Sequence, residues 1–132
     1  MNIILLLLMT IFSTLALAKG KYSDEGYIVC GVPMDQWKVT EAQGYYSPES
    51  LQAEGFIHCS KPSQIYYVMN HYFDGKAYIL LVTHFSKVQK IVKYEGLTEE
   101  KYPHLYGKLK LENVLSVIKN EPHYHLPEVF KP

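Results

Sequence analysis

The chain contains no arginine: all 13 of its basic residues are lysines, balanced by 13 acidic ones. A formal net charge of zero removes the large positive field that draws proteins onto nucleic acid or anionic membrane. No nucleic-acid partner is therefore expected. The absent guanidinium fork also matters for ligands, because bidentate recognition of phosphate usually falls to arginine. A nucleotide here would have to be held by lysines, backbone N–H groups and hydroxyls. Cysteine is scarce too, with only Cys30 and Cys59, and neither their number nor their spacing suggests a zinc site. The sequence shows no internal repeat, low-complexity tract or linker, so nothing argues for a second domain.

The longest apolar run is at the start. Ile3 to Phe12 is too short to span a bilayer comfortably. Ala16-Leu17-Ala18 follows as a small-x-small pattern, so residues 1–18 read as a secretory signal peptide cut after Ala18. An uncleaved N-terminal anchor is the alternative, since Met1-Asn2 supplies no lysine. Cleavage would leave a secreted or periplasmic chain with no stable membrane insertion and the length of one small domain. An oxidising destination permits a disulfide between Cys30 and Cys59; two buried free thiols are the alternative.

Residues 19–26 form a polar leader. Tyr27 to Cys30 reads as the first strand, and Gly31-Val32-Pro33 as a turn. Met34 to Ala42 suits a helix stopped near Gly44. Ser47-Pro48 resembles an N-cap and N1 proline for a short helix ending at Gly55. Phe56 to Cys59 is the next strand. Ser60 and Pro62 mark another helix start, with Ile65, Val68, Met69 and Tyr72 at helical spacing. Asp74-Gly75 signals a turn. Ala77 to Thr83 reads as a central strand, Val88 to Glu95 as another, Leu105 to Leu111 as extended, and Val114 to Ile118 as the last strand. A proline-rich tail occupies 120–132. The order is that of an α+β domain.

Two segments carry the chemistry: Gly55-Phe56-Ile57-His58-Cys59-Ser60 and Tyr102-Pro103-His104-Leu105-Tyr106-Gly107. Each places a histidine beside polar groups in a mostly apolar run. A polar group buried there without a partner costs a few kcal/mol, so each histidine is either satisfied or faces a cavity. On an extended segment His104 and Tyr106 share one face. Ser60 is placed either as a simple helix cap or as part of an anion or ribose site at that helix start. Twelve tyrosines, including Tyr45-Tyr46, Tyr66-Tyr67 and Tyr72, offer apolar area and hydroxyls together. Cys59 is a poor partner for His58 as nucleophile and base, because adjacent strand residues face opposite ways. His123-x-His125 in the tail offers two donors on one extended face for a stray divalent metal, the lesser alternative, and no dedicated metal site is expected.

These two segments, with Gln64, His71-Tyr72-Phe73, Leu80-Leu81-Val82 and Tyr94-Glu95, occur in an order that resembles the uncharacterised bacterial family called domain of unknown function 952. The resemblance runs from about Tyr27 to about Lys119, and the expected domain is 27–119. That family is similar in fold to the ADP-ribosyltransferases, which implies a split, strongly twisted β-sheet with flanking helices. It also implies that the strands holding Cys30 and Cys59 could be neighbours. By the same resemblance His58 corresponds to the strand histidine that contacts a ribose, and Glu95 to a glutamate that steadies an oxocarbenium-like centre. His58 and Glu95 are the implied catalytic residues, and Ser60, His104, Tyr106, Tyr46 and Gln64 the implied ligand-binding ones. The sequence has no arginine–histidine pair of the kind phosphate-transferring relatives use.

Three functions remain open at this level. One is a monomeric exported domain that binds a nucleotide- or ribose-type small molecule. A second is an ADP-ribosyl or glycosyl transferase or hydrolase with an NAD-like dinucleotide as substrate. The third is a structural or protein-interaction domain with no small-molecule ligand.

Overall fold

The structure is a computed structural model that describes residues 21–73, 76–120 and 128–130. Residues 1–18, expected as a signal peptide, Asp74-Gly75, expected as a turn, and the tail histidines His123 and His125 lie outside the described residues. Among those described, no helix is long and apolar enough to cross a membrane.

The described residues form a small α+β domain with antiparallel sheets and several short helices. Strand β1 (Tyr27–Pro33) leads into helix α1 (Met34–Gln43), strand β2 (Tyr45–Tyr46), helix α2 (Glu49–Ala53) and strand β3 (Ile57–His58). A 3-10 turn (Pro62–Gln64) opens helix α3 (Ile65–Tyr72). Strand β4 (Tyr78–His84), the single turn α4 (Phe85–Val88), and strands β5 (Val92–Glu95), β6 (Tyr102–Leu105), β7 (Leu109–Lys110) and β8 (Ser116–Asn120) complete the order.

The first sheet has the order β1-β4-β8, antiparallel throughout. Its central strand β4 is the continuous apolar run seen in the sequence, and it is buried from Tyr78 to Thr83. Burial on both faces explains why its residues do not alternate. Ile28, Cys30 and Val32 pair with Thr83, Leu81 and Ile79 on one face. That face meets Trp37 of α1 and the buried Ile57, Leu105 and Leu109. Val29, Leu80 and Val82 occupy the other face against Ile65 and Met69 of α3 and Phe73. Burying Ile65 and Met69 stabilises the docking of α3 by about 1.5–3 kcal/mol each.

A second three-stranded sheet has the order β3-β6-β5. Its inner row, Ile57–Leu105–Val92, faces the core, so the next row, His58–His104–Lys93, projects from the opposite face. The two sheets meet along the outer edge of β1. Val29 and Ser60 exchange both backbone hydrogen bonds at 2.8 Å. The next pair, Cys30 and Cys59, is therefore a non-hydrogen-bonded pair, the closer of the two antiparallel kinds. Their Cα atoms lie 4.4 Å apart and their sulfurs form a disulfide. It is buried and ties the two sheets together beside His58.

Several local expectations are corrected. Gly31-Val32-Pro33 is not a turn but the end of β1. Pro33 fits there as the last strand residue, where its lost N–H matters least. Gly31 fits because the Phe73 ring covers it: a Cβ at that position would stand 2.8 Å from the ring. Ser47 does not cap α2, whose N-cap is Pro48. Val88 to Glu95 is not one strand; α4 ends at Val88 and β5 starts at Val92. The Leu105 to Leu111 segment divides between β6, β7 and a 3-10 turn from Leu111. Helix α1 does end at Gly44, whose left-handed φ of 85° lets its N–H reach the Thr40 carbonyl.

Candidate functional site

The positions of the two histidine segments follow from strand register. His58 on β3 lies directly across from His104 on β6, and Lys93 on β5 lies across from His104 on its other side. Glu95 and Tyr106, each two residues along, fall on the same face. Gly55, with φ of 90°, ends the α2 segment and turns the chain into β3, which brings Phe56 beside this row.

The rings pack closely. Phe56 stacks on His104 with centroids 4.1 Å apart and planes within 14°. The His58 and His104 rings meet edge to face at 5.4 Å. Each imidazole is held by a carboxylate. Glu54 Oε2 is 2.6 Å from His58 Nε2, and Glu95 Oε1 is 3.0 Å from His104 Nδ1. The Tyr106 hydroxyl donates to the same Glu95 oxygen, and Lys93 Nζ lies 4.8 Å over the Tyr106 ring. The Tyr106 hydrogen bond, against a smaller opposing effect of desolvation, holds the Glu95 carboxyl below its usual value, with His104 and Lys93 adding to it. The Tyr106 phenol is correspondingly raised, chiefly by that hydrogen bond.

Behind the row, between α3, the edge of β1 and β6, is a cleft of about 390 Å³. His58, Ser60, His104 and Tyr102 line it together with Tyr72 and Phe73. Its wall is mostly apolar, and Cys59 forms part of it. Tyr72 was expected to bury with Ile65 and Met69; it is instead 74% exposed and stands at the cleft mouth. The Tyr102 phenol is raised by burial and by Glu100, so it stays neutral.

The expected site residues divide accordingly. His58, Ser60 and His104 border the cleft, and Glu95 and Tyr106 join them through His104. Tyr46 and Gln64 are elsewhere. Tyr46 is buried under α1, donates weakly to the Gly31 carbonyl at 3.3 Å, and has a pKa pushed up to about 12 by burial and Asp35. Gln64 is buried and structural. Its Oε1 accepts the Lys61 N–H at 2.9 Å and its Nε2 donates to the Lys101 carbonyl at 2.8 Å. That corrects the helix-cap expectation for Ser60: the start of the 3-10 turn is secured by Gln64, and Ser60 belongs to the bridge with Val29. Ser60 is left with its hydroxyl on the cleft wall.

Sequence reasoning misses Glu54 and Lys93, and it gives Phe56, Tyr72, Phe73 and Tyr102 no site role of their own. Lys93 had a signal, its alternation with Glu95 on a strand. Glu54 had none, since it reaches His58 across a helix end.

The antiparallel α+β fold is what solved structures share with this chain. The chain belongs to the family described as "Protein of unknown function (DUF952)", which matches residues 31–117, more than half of its length. It is similar to the crystal structure of protein CC0527 from Caulobacter crescentus. That similarity has 26% identity and a TM-score of 0.65, over 70% of this chain and 84% of that one. It is also similar to the solution NMR structure of CC0527, at 26% identity and a TM-score of 0.61, over 70% of this chain and 82% of that one. No curated protein matches the chain.

Proposed function

We propose that this chain is an exported domain of ADP-ribosyltransferase-like fold that binds a nucleotide- or ribose-type ligand in the cleft beside His58 and His104. The observation that carries this reading is the cleft itself. Its volume of about 390 Å³ lies in the range of small-molecule sites. Planar faces from Tyr72, Phe73, Tyr102 and the two histidines surround it, and such faces stack on bases and sugars. Ser60 and Tyr102 add hydroxyls to an otherwise apolar wall, the usual composition of an orienting pocket. The split sheet implied by the fold resemblance is supported by two three-stranded sheets joined through one bridge. Export is supported by the Ala16-Leu17-Ala18 pattern and by the disulfide, which an oxidising compartment preserves.

A specific observation favours a second reading, a transferase or hydrolase acting on an NAD-like dinucleotide. Glu95 is ionised and half-exposed, and among the described residues His104 and Tyr106 engage it through Oε1. Its Oε2 is available to orient a ribose hydroxyl or to face a developing cation.

A thermal-shift screen with dinucleotides, mononucleotides, ADP-ribose and simple sugars tests the binding reading. A concentration-dependent rise in melting temperature with a ribose-bearing compound is expected. No rise with any compound would reject it. Glu95→Gln separates the two readings. An enzyme would lose roughly a hundredfold in rate with affinity nearly kept, whereas a binder would show only a small change in affinity. Mass spectrometry of the secreted product tests export, and recovery with Met1 intact would overturn it.

A further inference from the structure

We propose that His58 and His104 form an acid–base pair that hydrolyses a phosphodiester of the ribose type, most directly a nucleoside 2′,3′-cyclic phosphate. This rests on the reading that the cleft holds a nucleoside-type ligand, and adds a reaction to it.

Three observations carry the inference. First, two imidazoles stand opposite each other in register, 5.4 Å apart, and both border the cleft. That separation lets both serve oxygens on a single phosphorus. Second, each ring spends one nitrogen on a carboxylate, His58 Nε2 on Glu54 and His104 Nδ1 on Glu95. A carboxylate on one nitrogen fixes the ring and directs the other toward chemistry. His58 Nδ1 and His104 Nε2 hold no hydrogen bond to any described residue. Third, Lys93 extends the same row past His104 and supplies one positive charge. One lysine and no arginine match the single negative charge of a phosphodiester. No side-chain nucleophile is needed: Cys59 is bound in the disulfide, and water serves.

The step balances as follows. A water oxygen bonds to phosphorus, and its proton passes to His58, the more exposed ring, which solvent reaches directly. The bond from phosphorus to one ribose oxygen breaks, and His104, the deeper ring beside the cleft wall, gives that oxygen a proton. The products are a nucleoside monophosphate and a His58 and His104 that have exchanged protonation states. Solvent restores them. Nothing is oxidised or reduced. Glu54 and Glu95 act as positioning residues.

The test incubates the disulfide-intact chain with adenosine 2′,3′-cyclic monophosphate in the presence of EDTA and follows the phosphorus by NMR. Binding of adenosine 3′-monophosphate is measured separately by calorimetry. The proposal expects turnover by wild type, reduced roughly a hundredfold or more in His58→Asn and in His104→Asn, with product binding retained within a few-fold. Circular dichroism confirms that each variant is folded. Lys93→Ala, an exposed change that should leave folding intact, is expected to slow turnover as well. Product binding without turnover by wild type would overturn the acid–base pair and leave the cleft reading standing. Neither binding nor turnover would overturn both. Turnover that survives loss of either histidine would also overturn the pair.

Discussion

Replacing both cysteines, Cys30→Ala with Cys59→Ala, should cost the domain a large part of its stability. The disulfide closes a loop with a sequence separation of 29. Constraining the unfolded chain over such a loop is worth about 3–4 kcal/mol at 25 °C. Little native strain should offset this, because the bridge spans a non-hydrogen-bonded antiparallel pair, where Cα atoms approach to about 4.5 Å without it. Both cysteines are buried in the structure, so the alanines should leave only small voids. With a urea slope near 1.5–2 kcal/mol/M for a chain of this size, the midpoint should fall by about 2 M. The assay is urea unfolding followed by tyrosine fluorescence and far-UV circular dichroism. The double variant is compared with oxidised wild type, and with wild type held reduced. Reduced wild type and the double variant should unfold at similar midpoints. A midpoint within about 0.5 M of oxidised wild type would refute the claim that this bridge joins the two sheets energetically as well as geometrically.

Two further predictions concern single residues. Glu95 should titrate below its ordinary value of 4.5, because the Tyr106 hydroxyl and His104 stabilise its charged form. Its folded value being the lower one, its contribution to stability is complete above the ordinary value and disappears as pH falls through the folded one; carboxyl-detected NMR should show the titration moving back up in Tyr106→Phe. Gln64→Ala should destabilise the fold by about 1–3 kcal/mol, because it leaves the Lys61 N–H and the Lys101 carbonyl without their buried partner, and chemical denaturation reads this directly.

Elements that one local signal determines were legible in the sequence. The apolar run ending at Thr83 reads as a central strand and is one, and Gly44 reads as the stop of α1 and is that stop. Elements set by distant partners were not. Gly31 looks like punctuation until Phe73, brought by α3, is seen lying on it. Ser60 looks like a cap until β1 is seen pairing with it, while Gln64, three residues into the turn, takes the capping contact. The site shows the same division. Alternation along β6 places His104 and Tyr106 on one face from sequence alone. That His104 opposes His58 and Lys93 depends on the registers of β3 and β5, which no short-range pattern specifies. Tyr46 and Gln64 are polar residues whose partners are the chain itself, and sequence offers no way to separate such residues from ligand contacts.

The central claim is that the cleft beside the histidine pair receives a nucleotide- or ribose-type ligand. Amide and side-chain NMR during a titration with adenosine monophosphate, and then with NAD, tests it most directly. Saturable shifts should concentrate at His58, Ser60, Tyr72, Tyr102 and His104, the residues that border the cleft, and leave Tyr46 and the β4–β8 pair unmoved. Saturable shifts centred elsewhere on the molecule, or none with either compound at millimolar concentration, would contradict it.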